Sequence, residues 1–278
     1  MIEKSILITG CSSGIGLCAA TKLKNRGYRV FATARQPEDV AALIAQGFES
    51  LLLNLNDSHS IRQALDDILS RTKGTLYALF NNAAYLLAGA VEDITRDMIR
   101  AQFETNVFGP MELTRLVLPV MRRQGYGRII QNSSILGIIP MSYCGAYNAS
   151  KFALEGFSST LRQELRGTPI HVSILVPGPI SSKLREHALK HYQTTLKQQP
   201  SSAHLPVYQK MEQTYFNPEH SDRRLMQAPD TVMKQLIHAL ESPHPNAHYY
   251  IGMPARLFGF LRRILPDNAL DWLTCKIR

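Results

Sequence analysis

The sequence predicts an α/β fold in which a parallel sheet of seven strands lies between two layers of helices. Short apolar runs alternate with longer segments of helical periodicity along most of the 278 residues, which is typical of strands connected by helices. The runs are largely apolar and show no strict alternation with polar residues, as expected for strands that are buried on both faces of a sheet. Together these observations favour the doubly wound, three-layer α/β/α arrangement.

Seven apolar runs have the length and the β-branched or aromatic content of strands. In chain order they are Ser5–Thr9, Tyr28–Ala34, Ser50–Asn54, Leu76–Asn81, Gly127–Asn132, Ile170–Val176 and Ala247–Ile251. Helical patterns separate them over Gly14–Arg26, Asp57–Thr72, Thr95–Gln124, where two helices are expected, and Ala146–Leu161. Asp57 has the side chain of a helix N-cap, and Gly27 suits the end of the first helix.

Two segments lie outside this alternation. Ser181–Ala228 is polar, rich in Lys, His and Gln, and contains the stretch QQPSSAHLP, so we expect a helical insertion outside the sheet that covers the substrate site. Residues 253–278 are expected to form a C-terminal helical extension. Because no repeat or linker interrupts the pattern, residues 1–278 are predicted to form a single domain.

The composition excludes several classes of protein. The net charge is +9, but the basic residues are scattered without a basic strip, so we expect no nucleic-acid partner. The N-terminus runs straight into a strand, which predicts no signal peptide, and no apolar stretch reaches the roughly 18 residues of a membrane span. The four cysteines show neither metal-ligand nor disulfide spacing, which predicts no metal site and favours a reducing, cytoplasmic setting.

The first turn reads TGCSSGIG and lies between the first strand and the first helix, the context in which a glycine motif indicates a Rossmann-type dinucleotide site. Gly10 permits the tight turn, while Gly14 and Gly16 remove side chains where the backbone approaches a pyrophosphate. The N-terminus of the helix then offers free N–H groups to the phosphates. Ser12, Ser13 and Ile15 of the same turn are expected to contact the cofactor.

The end of the second strand predicts the type of dinucleotide. A carboxylate there would bind the ribose 2′-hydroxyl of NAD, whereas an arginine would accept the 2′-phosphate of NADP. The strand ends Thr33-Ala34-Arg35, and the nearest carboxylate, Asp39, lies beyond Pro37. Because the guanidinium of Arg35 suits a phosphate, the sequence favours NADP(H) over NAD(H).

Tyr147 and Lys151 lie one helical turn apart in the stretch AYNASKFALEGF. Such a pair occurs on many solvated helices and by itself indicates nothing. With a dinucleotide site upstream, however, Ser134, Tyr147 and Lys151 form the spacing S-(x)12-Y-(x)3-K. Further elements accompany it in order: the glycine turn, Asn81-Asn82-Ala83-Ala84, Asn106 in ETNVFG, and Pro177-Gly178-Pro179-Ile180.

In these elements the chain resembles the short-chain dehydrogenase/reductase family over about residues 4 to 182. GCSSGIGL and YNASKFALEGF look most like the hydroxysteroid and retinol dehydrogenase branch, which includes bacterial aldehyde reductases. The resemblance implies catalysis by Asn106, Ser134, Tyr147 and Lys151, with Lys151 also on the nicotinamide ribose and Asn106 holding a water that links Lys151 to solvent.

The physical chemistry agrees with those roles. Carbonyl reduction needs a hydride and a proton, and Tyr147 would supply the proton. A free tyrosine has a pKa of about 10, so we expect the neighbouring Lys151 cation to lower the pKa of Tyr147. Ser134, at the end of the fifth strand, would donate to the substrate oxygen and stabilise the charge developing there.

The remaining cofactor contacts are implied by position. They are Asn54 and Leu55 at the adenine, Asn82 and Ala83 at the adenosine, and Pro177, Gly178, Ile180 and Ser182 at the nicotinamide. Asn54 and Ser182 replace the more usual Asp and Thr of the family. Ala84 replaces a family glycine, which would cost roughly 1 kcal/mol if the backbone there requires positive φ, and would only shift the loop if the glycine permits close approach.

The predicted walls of the substrate pocket are Tyr85–Leu87, Ile135–Tyr143 and the segment from Ser181 onward. Leu136 is expected to contact the substrate together with Ser134 and Tyr147. The walls are mainly apolar, which predicts a lipophilic substrate such as a long-chain aldehyde, a retinoid or a steroid-like ketone. Alternatively, some of these apolar side chains belong to the core.

The C-terminal extension allows two interpretations, because apolar residues recur at helical spacing among Arg256, Arg262 and Arg263. The helix either closes the substrate pocket or packs on the domain, or it lies instead on the inner face of a membrane as a peripheral contact.

The sequence as a whole predicts an NADP(H)-dependent oxidoreductase that interconverts an apolar aldehyde or ketone and its alcohol. An NAD(H)-dependent alcohol or steroid dehydrogenase, and a dinucleotide-binding regulator without turnover, remain alternatives. The resemblance also implies a homodimer or homotetramer paired through the long helices beside the catalytic strand.

Overall fold

The structure is a computed structural model that describes residues 3–198, 202–214 and 226–276. The strands are β1 Ser5–Ile8, β2 Arg29–Ala34, β3 Glu49–Leu52, β4 Ala78–Asn81, β5 Gly127–Asn132, β6 Ile170–Pro177 and β7 His248–Ile251. They form one sheet of seven strands in the order β3-β2-β1-β4-β5-β6-β7, and every pair is parallel. The predicted α/β/α arrangement is confirmed.

Helices connect the strands. They are α1 Gly14–Asn25, α2 Pro37–Ala45, α3 Ser58–Arg71, α4 Arg96–Phe103, α5 Gly109–Gln124, α6 Gly145–Glu164, α7 Leu184–Thr194, α8 Leu205–Gln213, α9 Met233–Glu241, α10 Met253–Leu261 and α11 Asp267–Lys276. A π-helical segment, Glu104–Phe108, joins α4 to α5, so the two helices expected over this region run on without a loop. The side chain of Asp57 caps α3 by accepting from the His59 N–H at 2.9 Å, as predicted.

Neighbouring residues of the strands β1, β2, β4 and β5 pack in two separate cores. Ile6 and Ile8 of β1 pack in the layer that contains α1 and α9, whereas Leu7 packs in the layer of α3 and α5. All three side chains are fully buried, and each contributes about 1.5–3 kcal/mol to folding. This double burial explains why apolar residues occur on both faces of the strands.

The strand order reverses between β1 and β4. From β1 the chain adds β2 and β3 on one side, and from β4 it adds β5, β6 and β7 on the other. In open parallel sheets a ligand binds at such a reversal, beyond the carboxyl ends of the strands. The loops after β1, β4 and β5 therefore meet where the sequence predicts the cofactor and the catalytic residues.

The described part of the insertion consists of α7, α8 and a short 3-10 turn at Leu196–Gln198, and it lies outside the sheet as predicted. Two internal parts of it, residues 199–201 and 215–225, fall outside the described residues. The helix α8 is joined to the loop before α4, because the Tyr208 hydroxyl accepts from the Ala90 N–H at 2.9 Å and bonds to Asp93.

The C-terminal extension packs on the domain with one face. Phe258 and Leu270 are buried against Ile139, and Ala255 of α10 is fully buried. The first interpretation of the extension is therefore correct for this face. Within the described ranges, no helix combines the length and the apolar character needed to cross a membrane.

Candidate active site

The glycine turn has the conformation that its sequence predicts. Gly10 and Gly14 have φ values of 72° and 59°, in the left-handed region that only glycine adopts freely. An added Cβ at Gly16 would lie 2.1 Å from the Gly10 carbonyl oxygen, which no side chain could tolerate. At the start of α1, the N-cap residue Ser13 makes no side-chain cap hydrogen bond, so the first N–H groups of the helix are available to a ligand.

This turn fits the pyrophosphate of a dinucleotide, since it combines a backbone cradle without side chains with a helix N-terminus. Ile15 lies partly buried in the first turn of the helix, and Ser12 is exposed. Across the cradle, the Cβ of Ser182 lies 3.1 Å from the position that a Cβ on Gly14 would occupy. The predicted phosphate and nicotinamide segments are thus adjacent.

A hydrogen-bond network fixes the glycine turn to β4 and β5. The Thr9 hydroxyl accepts from the backbone N–H groups of Asn82 and Ala83 at 2.9 and 3.0 Å. The Asn82 amide donates to the carbonyls of Thr9 and Gly10 at 2.9 and 3.1 Å. Its oxygen accepts from the Asn132 side chain at 2.9 Å. The Asn82 side chain therefore holds the turn in place.

Ala84 adopts no left-handed conformation. Lys73 and Tyr143 are the non-glycine residues with positive φ among those that the structure describes. The strain that a Cβ could have caused at this position is therefore absent, and the alternative of a slightly shifted loop remains.

The residues predicted at the adenosine lie at the carboxyl ends of β2 and β3. Arg35 is exposed directly after β2. Asn54 is exposed after β3 and accepts from the Asn56 N–H at 3.2 Å, whereas Leu55 is buried in the core. Tyr85 and His191 stack with ring centroids 5.0 Å apart, and burial together with the nearby Arg35 charge lowers the pKa of His191.

The nicotinamide segment continues from the end of β6. Pro177 is the last residue of β6, and the Gly178 N–H donates to the Ile251 carbonyl at 2.9 Å. Ile180 forms an isolated bridge with Gln227, which ties this loop to the end of the insertion.

Tyr147 and Lys151 are not a solvated surface pair, since their exposed fractions are 5% and 3%. Lys151 Nζ lies 5.8 Å from the Tyr147 ring centroid and donates to the Asn132 carbonyl at 2.7 Å. Through Asn132 and Asn82, hydrogen bonds therefore connect the Lys151 ammonium to the glycine turn. Sequence reasoning missed Asn132 and Thr9, although an asparagine two residues before Ser134 at a strand end was a signal for the former.

Ser134 lies beside Tyr147. Its hydroxyl accepts from the Leu136 N–H at 3.1 Å, and a hydrogen bond joins it to Tyr147. That bond favours the ionised phenol and lowers the pKa of Tyr147. The structure thus brings three of the predicted residues together, with Tyr147 between Ser134 and Lys151.

The expectation that the pKa of Tyr147 lies below its usual value is wrong. Burial raises the pKa of Tyr147 to about 12, and the Ser134 hydrogen bond only partly opposes this. Burial also lowers the pKa of Lys151 to about 8. The physical reason is that the ammonium is directed at the Asn132 carbonyl, while the phenol lies in an apolar cluster.

Asn106 lies in the π-helical segment between α4 and α5 and is buried. Its amide donates to the Tyr85 carbonyl and to the Ser150 hydroxyl, both at 3.0 Å, and its oxygen accepts from the Tyr85 N–H at 3.1 Å. Asn106 therefore anchors the loop after β4 to the helix that carries Tyr147. Single-turn π segments are frequent at functional sites.

Apolar side chains from the loops and the insertion enclose Tyr147. The buried members of this cluster besides Tyr147 are Leu86, Ala88, Ala90, Leu136, Cys144, Ala188, Tyr192, Leu196 and Tyr208. The last four belong to the insertion. The sequence predicts the insertion as a wall of the pocket but does not indicate these residues, because most of the segment is polar.

Other predicted wall residues belong elsewhere. Ile138 packs with Ile174 and Val176 beneath the site, and Ile139 packs against the C-terminal helices. Leu87 packs with Ile94 and Ala146. The alternative that some of these side chains are core residues is correct for these three. In the parts of the chain that the structure describes, no group of three or more potential metal ligands comes together.

Known proteins similar to this chain are oxidoreductases. The sequence profile of the family described as short chain dehydrogenase matches residues 4–193. The chain is 35% identical to the uncharacterized oxidoreductase YbbO of Escherichia coli K12, over 98% of this chain and 94% of that protein. It is 32% identical to retinol dehydrogenase 5 of Homo sapiens, over 98% and 89% of the two chains.

A solved structure with a similar fold is a short-chain dehydrogenase from Streptomyces avermitilis. Its TM-score is 0.77 at 28% identity, and the match covers 95% of this chain and 94% of that one. The family profile spans more than half of the chain, and the relatives are matched over nearly their whole length. The chain belongs to the short-chain dehydrogenase/reductase family of oxidoreductases.

Proposed function

We propose that the protein is an NADP(H)-dependent oxidoreductase that interconverts an apolar aldehyde or ketone and its alcohol. The observation that supports this best is the buried network from the glycine turn through Asn82 and Asn132 to Lys151, beside Tyr147 and Ser134. A dinucleotide cradle and an acid/base centre are thus held in one rigid arrangement. In this family such an arrangement suits hydride transfer coupled to proton transfer.

Tyr147 is the proposed acid in reduction and base in oxidation. When bound, the nicotinamide supplies or accepts the hydride. The Ser134 hydroxyl would orient the substrate oxygen and stabilise the charge that develops on it. The Lys151 ammonium would stabilise the phenolate of Tyr147 and hold the nicotinamide ribose, and Asn106 would hold a water that links Lys151 to solvent.

Arg35 supports NADP(H) as the cofactor. It lies exposed at the end of β2, where a planar cation could bind a 2′-phosphate in a bidentate manner. The other residues that would hold the cofactor are Gly10, Ser12, Ser13, Gly14, Ile15, Gly16, Asn54, Leu55, Asn82, Ala83, Pro177, Gly178, Ile180 and Ser182.

The apolar cluster around Tyr147 supports a lipophilic substrate. Leu136, Tyr192 and Leu196 are buried within it, so a polar ligand would find few partners there. The name of one relative, retinol dehydrogenase 5, points in the same direction. The substrate class we propose comprises long-chain aldehydes, retinoids and steroid-like ketones.

The test is consumption of NADPH and NADH with medium-chain and long-chain aldehydes and hydrophobic ketones. Turnover should require NADPH and should be lost in Tyr147→Phe, while Tyr126→Phe, which removes a hydroxyl elsewhere, should behave as wild type. Turnover with NADH alone would favour the NAD(H)-dependent alternative. Tight NADPH binding without turnover in either direction would favour a non-catalytic regulator and contradict the proposal.

We further propose that the protein forms a homodimer or homotetramer through α5 and α6. The groove between these helices has a mixed lining in which Met111, Leu118 and Leu161 are apolar, and Phe157 of the same lining is 54% exposed. Sedimentation of Phe157→Glu should show a smaller assembly than wild type, and an unchanged mass would contradict this interface.

A contact between α10 and the inner face of an anionic membrane is proposed for a cytoplasmic enzyme with a lipophilic substrate. Met253, Leu257 and Phe260 lie on one face of α10 and are 61%, 45% and 60% exposed. Arg256 and Arg263 are exposed beside them, which complements an anionic surface.

A further inference from the structure

The helix α6 carries a third ionisable side chain, Glu155, in the same four-residue spacing as Tyr147 and Lys151. Glu155 follows Lys151 by one helical turn and therefore lies on the same face. A Cβ on Gly137 would lie 3.3 Å from both Glu155 Cγ and Lys151 Cβ, so the two side chains border the same point of the loop after β5. Glu155 is thus a direct neighbour of the proposed acid/base centre.

The environment of Glu155 is unusual for a carboxylate. Its side chain is only 12% exposed, and one oxygen bonds to His248 Nε2 at 2.9 Å. The other oxygen is buried and has no hydrogen-bond partner among the described residues. A buried carboxylate is costly unless a nearby positive charge compensates it, and Lys151 supplies such a charge.

The groups around the Lys151 ammonium come from two elements. Tyr147 and Glu155 lie on its own helix, and the Asn132 carbonyl at the end of β5 accepts its hydrogen bond. Glu155 is in turn faced by His248 of β7, whose ring stacks on Tyr250 with centroids 6.0 Å apart. The carboxylate is thereby held from the opposite side by a second strand.

We propose that Glu155, held by His248, is a positioning residue that keeps the Lys151 ammonium charged and so sets the upper pH limit of carbonyl reduction. The role in reduction rests on the proposed function, whereas the coupling between the two side chains does not. Glu155 acts through Lys151 and is not assigned a contact with substrate or cofactor.

The direction of the effect follows from charge. Burial lowers the pKa of Lys151, and the Glu155 carboxylate opposes this by favouring the charged ammonium. Loss of the carboxylate should therefore allow Lys151 to lose its proton at a lower pH. Above that pH the phenolate of Tyr147 would lack its stabilising cation, and reduction would slow.

The first test is an NMR titration of [¹³Cε]lysine in the cofactor-free protein, with the Lys151 signal assigned from its loss in Lys151→Arg. In Glu155→Gln, Lys151 should titrate at a lower pH than in wild type. In Glu164→Gln, which removes an exposed charge from the same helix, it should titrate as in wild type. An unchanged titration in folded Glu155→Gln would overturn the proposal.

The second test is the pH profile of NADPH-dependent reduction. Relative to wild type, Glu155→Gln should be unchanged at pH 6 and slower at pH 8. If Lys151 titrates one pH unit below its wild-type pKa of about 8 in the variant, the loss at pH 8 is about fivefold. A uniform loss at all pH values would indicate a purely structural role and overturn the proposal. If the titration moves but wild type reduces no carbonyl, the coupling stands and the proposed function fails.

A second substitution guards against misfolding. Glu155→Met removes the same charge but keeps a long, unbranched side chain that packs well among apolar neighbours. Both variants should displace the Lys151 titration to the same extent, because both remove the carboxylate. Displacement by only one of them would show that packing determines the titration, and would contradict the proposal.

Discussion

Lys151 is a residue at which the proposed function opposes stability. Its side chain is 3% exposed, and burial lowers its pKa from 10.5 to about 8. The folded protein therefore holds fewer protons than the unfolded chain between those two pH values. Below pH 8 the buried charge costs on the order of 3 kcal/mol of folding free energy, and this cost disappears as the pH rises past about 10.5.

We accordingly expect Lys151→Met to be more stable than wild type at pH 7, by roughly 1–3 kcal/mol after the loss of the hydrogen bond to Asn132. The gain should shrink as the pH rises from 8 to 10.5. Urea unfolding at several pH values measures it. Lys234→Met, at an exposed position of α9, should show no such trend. Lower stability of Lys151→Met at pH 7 would contradict the assignment of a desolvated charge.

Arg35 provides a second prediction for a single residue. Arg35→Ala should weaken NADPH binding about tenfold to a hundredfold and leave NADH binding nearly unchanged, because hydrogen bonds to charged groups contribute about 1.5–3 kcal/mol. Fluorescence titration of both dinucleotides measures this. Arg123→Ala is a suitable control, since Arg123 lies near the end of α5, which leads to the amino end of β5, whereas Arg35 follows the carboxyl end of β2. Equal weakening of both dinucleotides would show that Arg35 does not recognise a 2′-phosphate.

Among the structural elements, the strands were predictable and two helices were not. All seven strands lie where apolar runs predict them, because burial on both faces leaves a continuous signal. The helices α2 and α9 were not predicted from the sequence. In α2 only Leu43 is buried, so this helix has no stripe of core residues. In α9, Met233, Leu236, Ala239 and Leu240 are buried at helical spacing, but the helix has only nine residues and closely follows the polar insertion.

The candidate site shows the same division between local pattern and tertiary context. The spacing of Ser134, Tyr147 and Lys151 places them together, and the structure confirms that placement. The raised pKa of Tyr147 could not be read from the spacing, because it depends on side chains such as Tyr192 and Leu196 that reach the site from the insertion.

The attachment of α8 gives a prediction for an element. The Tyr208 hydroxyl is fully buried between Ala90 and Asp93, where it holds the insertion over the apolar cluster. Tyr208→Phe leaves the Ala90 N–H unpaired and should cost about 1–3 kcal/mol. Hydrogen exchange over residues 205–213 should become faster, and KM for an apolar aldehyde should rise more than kcat falls. Unchanged exchange would show that other contacts hold α8.

On the scale of the whole molecule, exposed apolar side chains are unevenly distributed. Within the described ranges eleven large apolar side chains are exposed, and five of them lie in the segment from Met253 to Trp272. The opposite face of the same extension is buried against the loop that follows Ser134. If this exposed face binds a membrane as proposed, the loop that follows Ser134 would lie close to the bilayer. A lipophilic substrate could then enter from the bilayer beside that loop.

This arrangement predicts binding to anionic vesicles that depends on α10. Wild type should sediment with vesicles containing phosphatidylglycerol and much less with phosphatidylcholine vesicles, since exposed arginines adjoin the apolar face. The double variant Leu257→Glu, Phe260→Glu should remain in the supernatant while keeping its turnover of a short, water-soluble aldehyde. Ile44→Glu removes a similarly exposed apolar residue, 56% exposed, from α2 and should bind as wild type. Wild type that stays in the supernatant with both kinds of vesicle would contradict membrane binding. If the double variant then forms a smaller assembly than wild type in analytical sedimentation, the exposed face instead binds a second copy of the chain.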